Sequence, residues 1–167
     1  GLLIDIPHQF FKRVCEFELP QPRDYAVGMI FLPKRSNQYD FCKTTLESEL
    51  AAQGLDVLGW RTVPVDSTQL GEIALESEPH IEQIFISKSE TTDEFKFKAS
   101  LYAARKIAEH TIWNSKMSDA EHFYISSLSL TTLIYKGIIM PEDIGNYYLD
   151  LQQSDLVTRL ALVHQRF

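Results

Sequence analysis

Apolar and polar residues fall in blocks along the chain, and the period changes from block to block. "GLLIDI" at the start is short and apolar with one charge, which predicts a buried strand, and Pro7 permits a helical turn through "HQFFKRVC". The prolines of "LPQPRD" (19–24) break that pattern. "YAVGMIFL" (25–32) is rich in β-branched and aromatic residues and carries no charge, so it predicts a strand covered on both faces and ended by Pro33.

From Ser36 the period lengthens. Tyr39, Cys42, Leu46 and Leu50 recur at spacings of three and four, which predicts an amphipathic helix stopped by Gly54. "LDVLGWRTVPV" and "HIEQIFIS" (80–87) predict strands, with room for one short helix between them. "TTDEFKFKASLYAARKIAEHTIWN" carries the strongest helical signal: Thr92 or Asp93 as cap, acids early, and Phe97, Leu101, Ala104, Ala108 and Ile112 on one stripe. "HFYISSLS" and "TLIYKGII" predict two strands joined as a hairpin, Pro141 opens a helical turn, and "TRLALVHQRF" predicts a closing buried strand. Strands with helices at intervals, without repeat or linker, predict one layered α+β domain.

Composition narrows the function. Lys+Arg 16 against Asp+Glu 23 gives a net charge of −7, which lacks the basic excess that phosphate backbones require, so no nucleic-acid partner is expected. No stretch approaches the roughly 20 apolar residues of a membrane span. The start lacks the pattern of a signal peptide. No membrane partner and a cytoplasmic location are expected. Cys15 and Cys42 stand alone, outside any C-x-x-C or His/Cys cluster, so neither a metal site nor a disulfide framework is expected.

The common phosphate-binding, zinc and serine-hydrolase strings are absent, and the five histidines are scattered. Glu82 and Arg61 lie inside apolar strands, where each must reach the solvated face or find a partner, the simplest being each other. Lys136 before Gly137 marks a bulge or turn near a strand end. Arg166 stands out, because a guanidinium at a strand end is permanently charged and can hold a carboxylate through two parallel hydrogen bonds; a structural ion pair is the alternative.

The blocks "GLLIDIPHQFF", "YAVGMIFLP", "VLGWRTVPVD", "IEQIFI", "FYISSLSLTTLIYKGIIMPEDIGNYYLDL" and "ALVHQRF", in that order, resemble the glutamine amidotransferase domain of the glutamate synthase large subunit. The resemblance covers essentially the whole chain. It implies an N-terminal-nucleophile hydrolase fold, a four-layer αββα sandwich of two antiparallel sheets between helices, here incomplete at both ends. Residues 1–167 would form a partial amidotransferase domain, with 88–120 a helical elaboration.

In that family an N-terminal Cys attacks the side-chain amide of L-glutamine, and glutamate and ammonia are released for reductive amination of 2-oxoglutarate. An Asn-Gly pair holds the oxyanion. Both are expected outside residues 1–167, because Gly1 and Phe167 interrupt family blocks and Cys15 and Cys42 match no nucleophile motif. The resemblance therefore implies no catalytic residue in the chain and no activity of the chain alone.

It implies one substrate-binding residue, Arg166 of "HQRF", on the glutamine carboxylate. FMN and an iron–sulfur cluster are implied for the parent enzyme and no cofactor for this chain; the partners implied are L-glutamine and the parent's synthase and C-terminal domains. The alternative is a standalone non-catalytic module that uses the same scaffold for binding.

Overall fold

The computed structural model describes residues 1–68 and 70–165. Two antiparallel sheets face one another. The larger has the order β3-β4-β2-β5, formed by β2 (Tyr25–Leu32), β3 (Asp56–Thr62), β4 (His80–Ser87) and β5 (Tyr124–Ser129). The smaller has the order β6-β1-β7, formed by β1 (Leu2–Asp5), β6 (Thr132–Tyr135) and β7 (Ala161–Val163). The expected α+β class with two antiparallel sheets is what the chain adopts.

β2 is central and buried along nearly its whole length, as its uncharged run predicts. Its alternation separates two cores. Ala26, Ile30 and Leu32 face the helices, while Tyr25, Val27 and Met29 face the small sheet.

The helical side is closed by α2 (Ser36–Ala52) and α4 (Glu94–Trp113). α2 buries Cys42, Leu46 and Leu50 at four-residue spacing and ends where Gly54 takes φ 72°, a left-handed conformation that costs glycine no Cβ clash. Tyr39 is only half-buried; the first buried position is Gln38, whose amide is matched by the Ser118 hydroxyl at 3.0 Å and the Asp119 N–H at 3.3 Å. α4 buries the whole predicted stripe, and Asp93 caps it by accepting from the N–H groups of Phe95 (2.9 Å) and Lys96 (3.2 Å). Each Leu or Ile buried here contributes about 1.5–3 kcal/mol. Among the described residues no helix is long and apolar enough to cross a membrane.

The second core lies between the sheets and is aromatic. α1 (His8–Val14) inserts Phe10 and Phe11, and Phe11 meets Phe85 edge-on at 5.1 Å. Phe17 lies so close over β3 that a Cβ on Gly59 would come within 2.5 Å of its ring, which makes Gly59 a condition of the contact.

Three expectations need correction. The strands 124–129 and 132–135 form no hairpin: β5 belongs to the large sheet and β6 to the small one. Serines replace the missing ladder, since Ser127 Oγ accepts from Ile134 N (3.1 Å) and Ser126 Oγ donates to Ile134 O (3.2 Å). The register of β5 on β2 shifts at Ser126, between the pairs Met29↔Ser127 and Ile30↔Ile125.

β7 is not a buried strand. Its three residues are all exposed at the edge of the small sheet, because among the described residues only β1 pairs with it. Arg61 and Glu82 do not pair with each other. Arg61 lies opposite Gln83 and Thr62 opposite Glu82, so one position of register sends the two charges to opposite faces of the sheet.

Candidate functional site

One end of the small sheet gathers three chain segments. Leu2 pairs with both Tyr135 and Val163, so the start of β1 and the ends of β6 and β7 lie side by side. The ladder continues one residue further, with Gly1 N donating to His164 O at 2.7 Å and His164 N to Gly1 O at 2.9 Å. The chain is thus held in register up to His164. Arg166, the sequence-predicted carboxylate ligand, lies outside the described residues.

Between the sheets is a polar network that the apolar patterning hides. The Arg61 guanidinium donates to both Asp150 oxygens, at 2.8 and 2.6 Å, and to Gln83 Oε1 at 2.8 Å. Tyr135 donates its hydroxyl to Asp150 Oδ2 at 3.2 Å. The Arg61 and Asp150 side chains are only 11% and 2% exposed, so each charge depends on the other. Burial pushes the Tyr135 phenol well up and the Asp150 charge adds to this, which keeps it a donor. Gln83 Nε2 is buried without a partner among the described residues.

The segment "YYLDL" works as a hook. Tyr147 donates to Glu78 (3.1 Å), Tyr148 to the Lys136 carbonyl (2.7 Å), and Asp150 takes Arg61, so three side chains within four residues bind three separate elements. Sequence reasoning missed Asp150. The available signal was an acid within an aromatic, apolar run, the same signal that drew attention to Arg61.

The remaining singled-out residues have structural partners. Glu82 accepts from Lys43 (2.6 Å) and His80 (2.9 Å); burial would raise its pKa, but these donors outweigh it and hold the carboxyl below its usual range. β6 ends at Tyr135, and the chain leaves it through Lys136–Gly137 without a turn there, bending instead at Ile138 and Ile139.

Burial disfavours the thiolate form of both cysteines. Burial pushes Cys42 up to about 12, and pushes Cys15 up to about 11 against the nearby Arg61 charge. The two thiols lie in different cores, Cys42 beneath the helices and Cys15 between the sheets, so they cannot share an iron–sulfur cluster. Among the described residues no group of three or more His, Cys, Asp or Glu could hold a metal ion.

Comparison with known proteins matches these features to a family. The chain is 38% identical over 169 residues to the glutamate synthase [NADPH] large chain of Bacillus subtilis. It is 39% identical over 180 residues to the glutamate synthase [NADH] of Saccharomyces cerevisiae. It is 34% identical over 170 residues to the chloroplastic ferredoxin-dependent glutamate synthase of rice, Oryza sativa subsp. japonica. Each match takes in 100% of this chain but only 8–11% of the relative, so the chain spans about a tenth of the length of these proteins. The sequence profile of the class-II glutamine amidotransferases matches residues 1–167, and with two facing antiparallel sheets of the expected class the chain belongs to that family.

Proposed function

We propose that the chain is the central part of a glutaminase domain in a glutamate synthase, where it contributes the scaffold and one wall of the glutamine pocket. In the whole enzyme L-glutamine would be hydrolysed to glutamate and ammonia, and the ammonia used for reductive amination of 2-oxoglutarate. The observation that carries this reading is the full-length match to glutamate synthases from a bacterium, a yeast and a plant.

In this reading Arg166 binds the α-carboxylate of glutamine. Register up to His164 supports it, because the ladder with Gly1 leaves Arg166 two residues beyond a fixed point at the end of the small sheet. In this reading the catalytic thiol is supplied from outside residues 1–167, since burial disfavours the thiolate of Cys42 and of the half-buried Cys15. No Asn-Gly dipeptide occurs in the chain, so the oxyanion donors are likewise supplied from elsewhere. Residues 88–120 are the helical elaboration, packed through α4 against α2.

FMN and an iron–sulfur cluster would supply the redox chemistry of the parent, bound by its other domains, which are this chain's partners. The two separated thiols do not fit the cluster. The cleft beside Lys136 does not fit a flavin phosphate, because its lining includes the Glu78 and Glu121 carboxylates. A cytoplasmic location completes the reading.

The test is the full-length protein with Arg166→Ala. Losing a two-point charged contact should raise KM for glutamine about 100-fold, while synthesis driven by added ammonia stays unchanged. An unaltered KM would remove Arg166 from the pocket. The 167 residues alone should release no ammonia from glutamine.

A further inference from the structure

The outer side of α4 is aromatic and basic. Its buried stripe runs through Phe97, Leu101, Ala104, Ala108 and Ile112, and on the opposite side Phe95 and Tyr102 are 80% and 64% exposed. The two lie seven positions apart, which is about two turns, so both rings stand on one line roughly 10 Å apart with the small, exposed Ala99 between them. Neither ring belongs to either core. Aromatic anchors at i and i+7 on a solvent-facing helix have the spacing by which a helix docks on another surface. Lys96, Lys98 and Lys106 are exposed beside them.

A surface of matching character lies on α3 (Glu72–Ser77). Ile73 is 84% exposed, Leu75 is exposed as well, and Glu72 and Glu76 are exposed one turn apart in a helix without a base. Lys34 holds α3 in place by donating to Leu75 O at 3.0 Å and to Glu78, just past the helix end, at 3.3 Å. Among the described residues Glu72, Glu76 and Lys96 have no ion-pair partner. Lys98 meets Glu94 at 2.6 Å in an exposed pair that water screens. These charges can therefore turn to a partner.

Charge decides how two copies can meet. Two α4 faces set together symmetrically would oppose lysines to lysines, and two α3 faces glutamates to glutamates, and both arrangements are penalised by like-charge repulsion. α4 on α3 instead pairs opposite charges around apolar side chains, an apolar contact centre within a polar rim. Within one copy α4 packs on α2 and β5, and both outer surfaces stay in solvent.

We propose that α4 of one copy of this chain docks on α3 of a second copy, with Phe95 and Tyr102 against Ile73 and Leu75, and Lys96 and Lys98 facing Glu72 and Glu76. The contact is head-to-tail, because the two copies contribute different surfaces. It goes beyond the glutaminase reading and does not rest on it.

The test is photo-crosslinking in the full-length protein. One population carries p-benzoylphenylalanine in place of Phe95, and a second, uniformly labelled with nitrogen-15, carries the natural residue. After mixing and illumination, mass spectrometry should find the photoreactive side chain joined to the nitrogen-15 peptide that contains Ile73 and Leu75. Capture of a different peptide, of the α3 peptide from the same copy only, or of none would overturn the proposal.

Charge reversal tests the pairing independently. Lys96→Glu/Lys98→Glu in the photoreactive copy should lower the crosslink yield at least tenfold, as should Glu72→Lys/Glu76→Lys in the labelled copy. Combining the two reversed copies should restore the yield to within about threefold of the original, since opposite charges face each other again. Lys116→Glu, an exposed reversal beyond the end of α4, should leave the yield unchanged. No restoration in the combined sample, or an equal loss with Lys116→Glu, would count against a paired α3–α4 contact.

Discussion

The two faces of the large sheet are built on opposite principles. Toward the helices, Ala26, Ile30, Leu46, Leu101, Ala104 and Ala108 pack as a mainly aliphatic layer with Phe97 and Phe123, and buried charges such as Glu82 and Glu109 are met by lysine, arginine or histidine at its rim. Toward the small sheet, the core is phenylalanine and tyrosine around the Arg61–Asp150 pair. The aliphatic face keeps its charges at the rim and close packing at its centre. The aromatic face needs hydrogen bonds in a fixed geometry, and it is the face whose hook positions Lys136 and the adjoining cleft.

The largest effect is expected between the sheets. Asp150→Ala leaves the Arg61 guanidinium buried without a counter-charge and should cost about 3–5 kcal/mol in urea unfolding. The double variant Arg61→Met/Asp150→Leu should recover most of that loss, because both desolvated charges go together. A cost below about 1 kcal/mol for Asp150→Ala would erase the distinction between the faces. On the helical side, Leu101→Ala should cost about 3 kcal/mol through the cavity alone, with no second-site rescue by charge removal.

Smaller effects sharpen the same contrast. Gly59→Ala should cost about 1–3 kcal/mol by driving a methyl into the Phe17 ring, and Phe17→Ala in the same chain should relieve the overpacking. Asp93→Ala should cost about 1 kcal/mol by freeing the first N–H groups of α4, measurable as a shift of the urea midpoint.

The mildest test is pH. Glu82 and Glu109 both have depressed values in the folded chain, where donors from His80 and Lys43, and from Lys106 and Arg105, outweigh burial. Their stabilisation is present above the ordinary glutamate value of about 4.3 and is lost as pH falls below it. Glu82→Gln should flatten the stability–pH curve below about pH 4.3 and leave its slope near neutrality unchanged.

Legibility from sequence divides along the same line. The buried stripe of α4, its Asp93 cap, the Gly54 stop and the doubly covered β2 were readable because each is a local period or local hydrogen bond. The hairpin expectation failed because two adjacent strands with a short connection fit a hairpin and a sheet-to-sheet crossing equally well; Ser126 and Ser127 decided it by contacts across the sandwich. The partnership of Arg61 failed for a related reason, since its partner Asp150 is 89 residues away. Arg166 is named through the family's "HQRF" block and lies outside the described residues.

The sequence by itself determined the order and type of the elements, their apolar faces, the acidic balance and the family, because these follow from residue spacing and local chemistry. Tertiary structure decided which sheet each strand joins, which charge meets which, and how Lys136 and Glu78 come to line one cleft from opposite parts of the chain. Those outcomes depend on burial. A charge inside a strand states only that it needs a partner, and the fold selects the partner that removes both from water at the least cost.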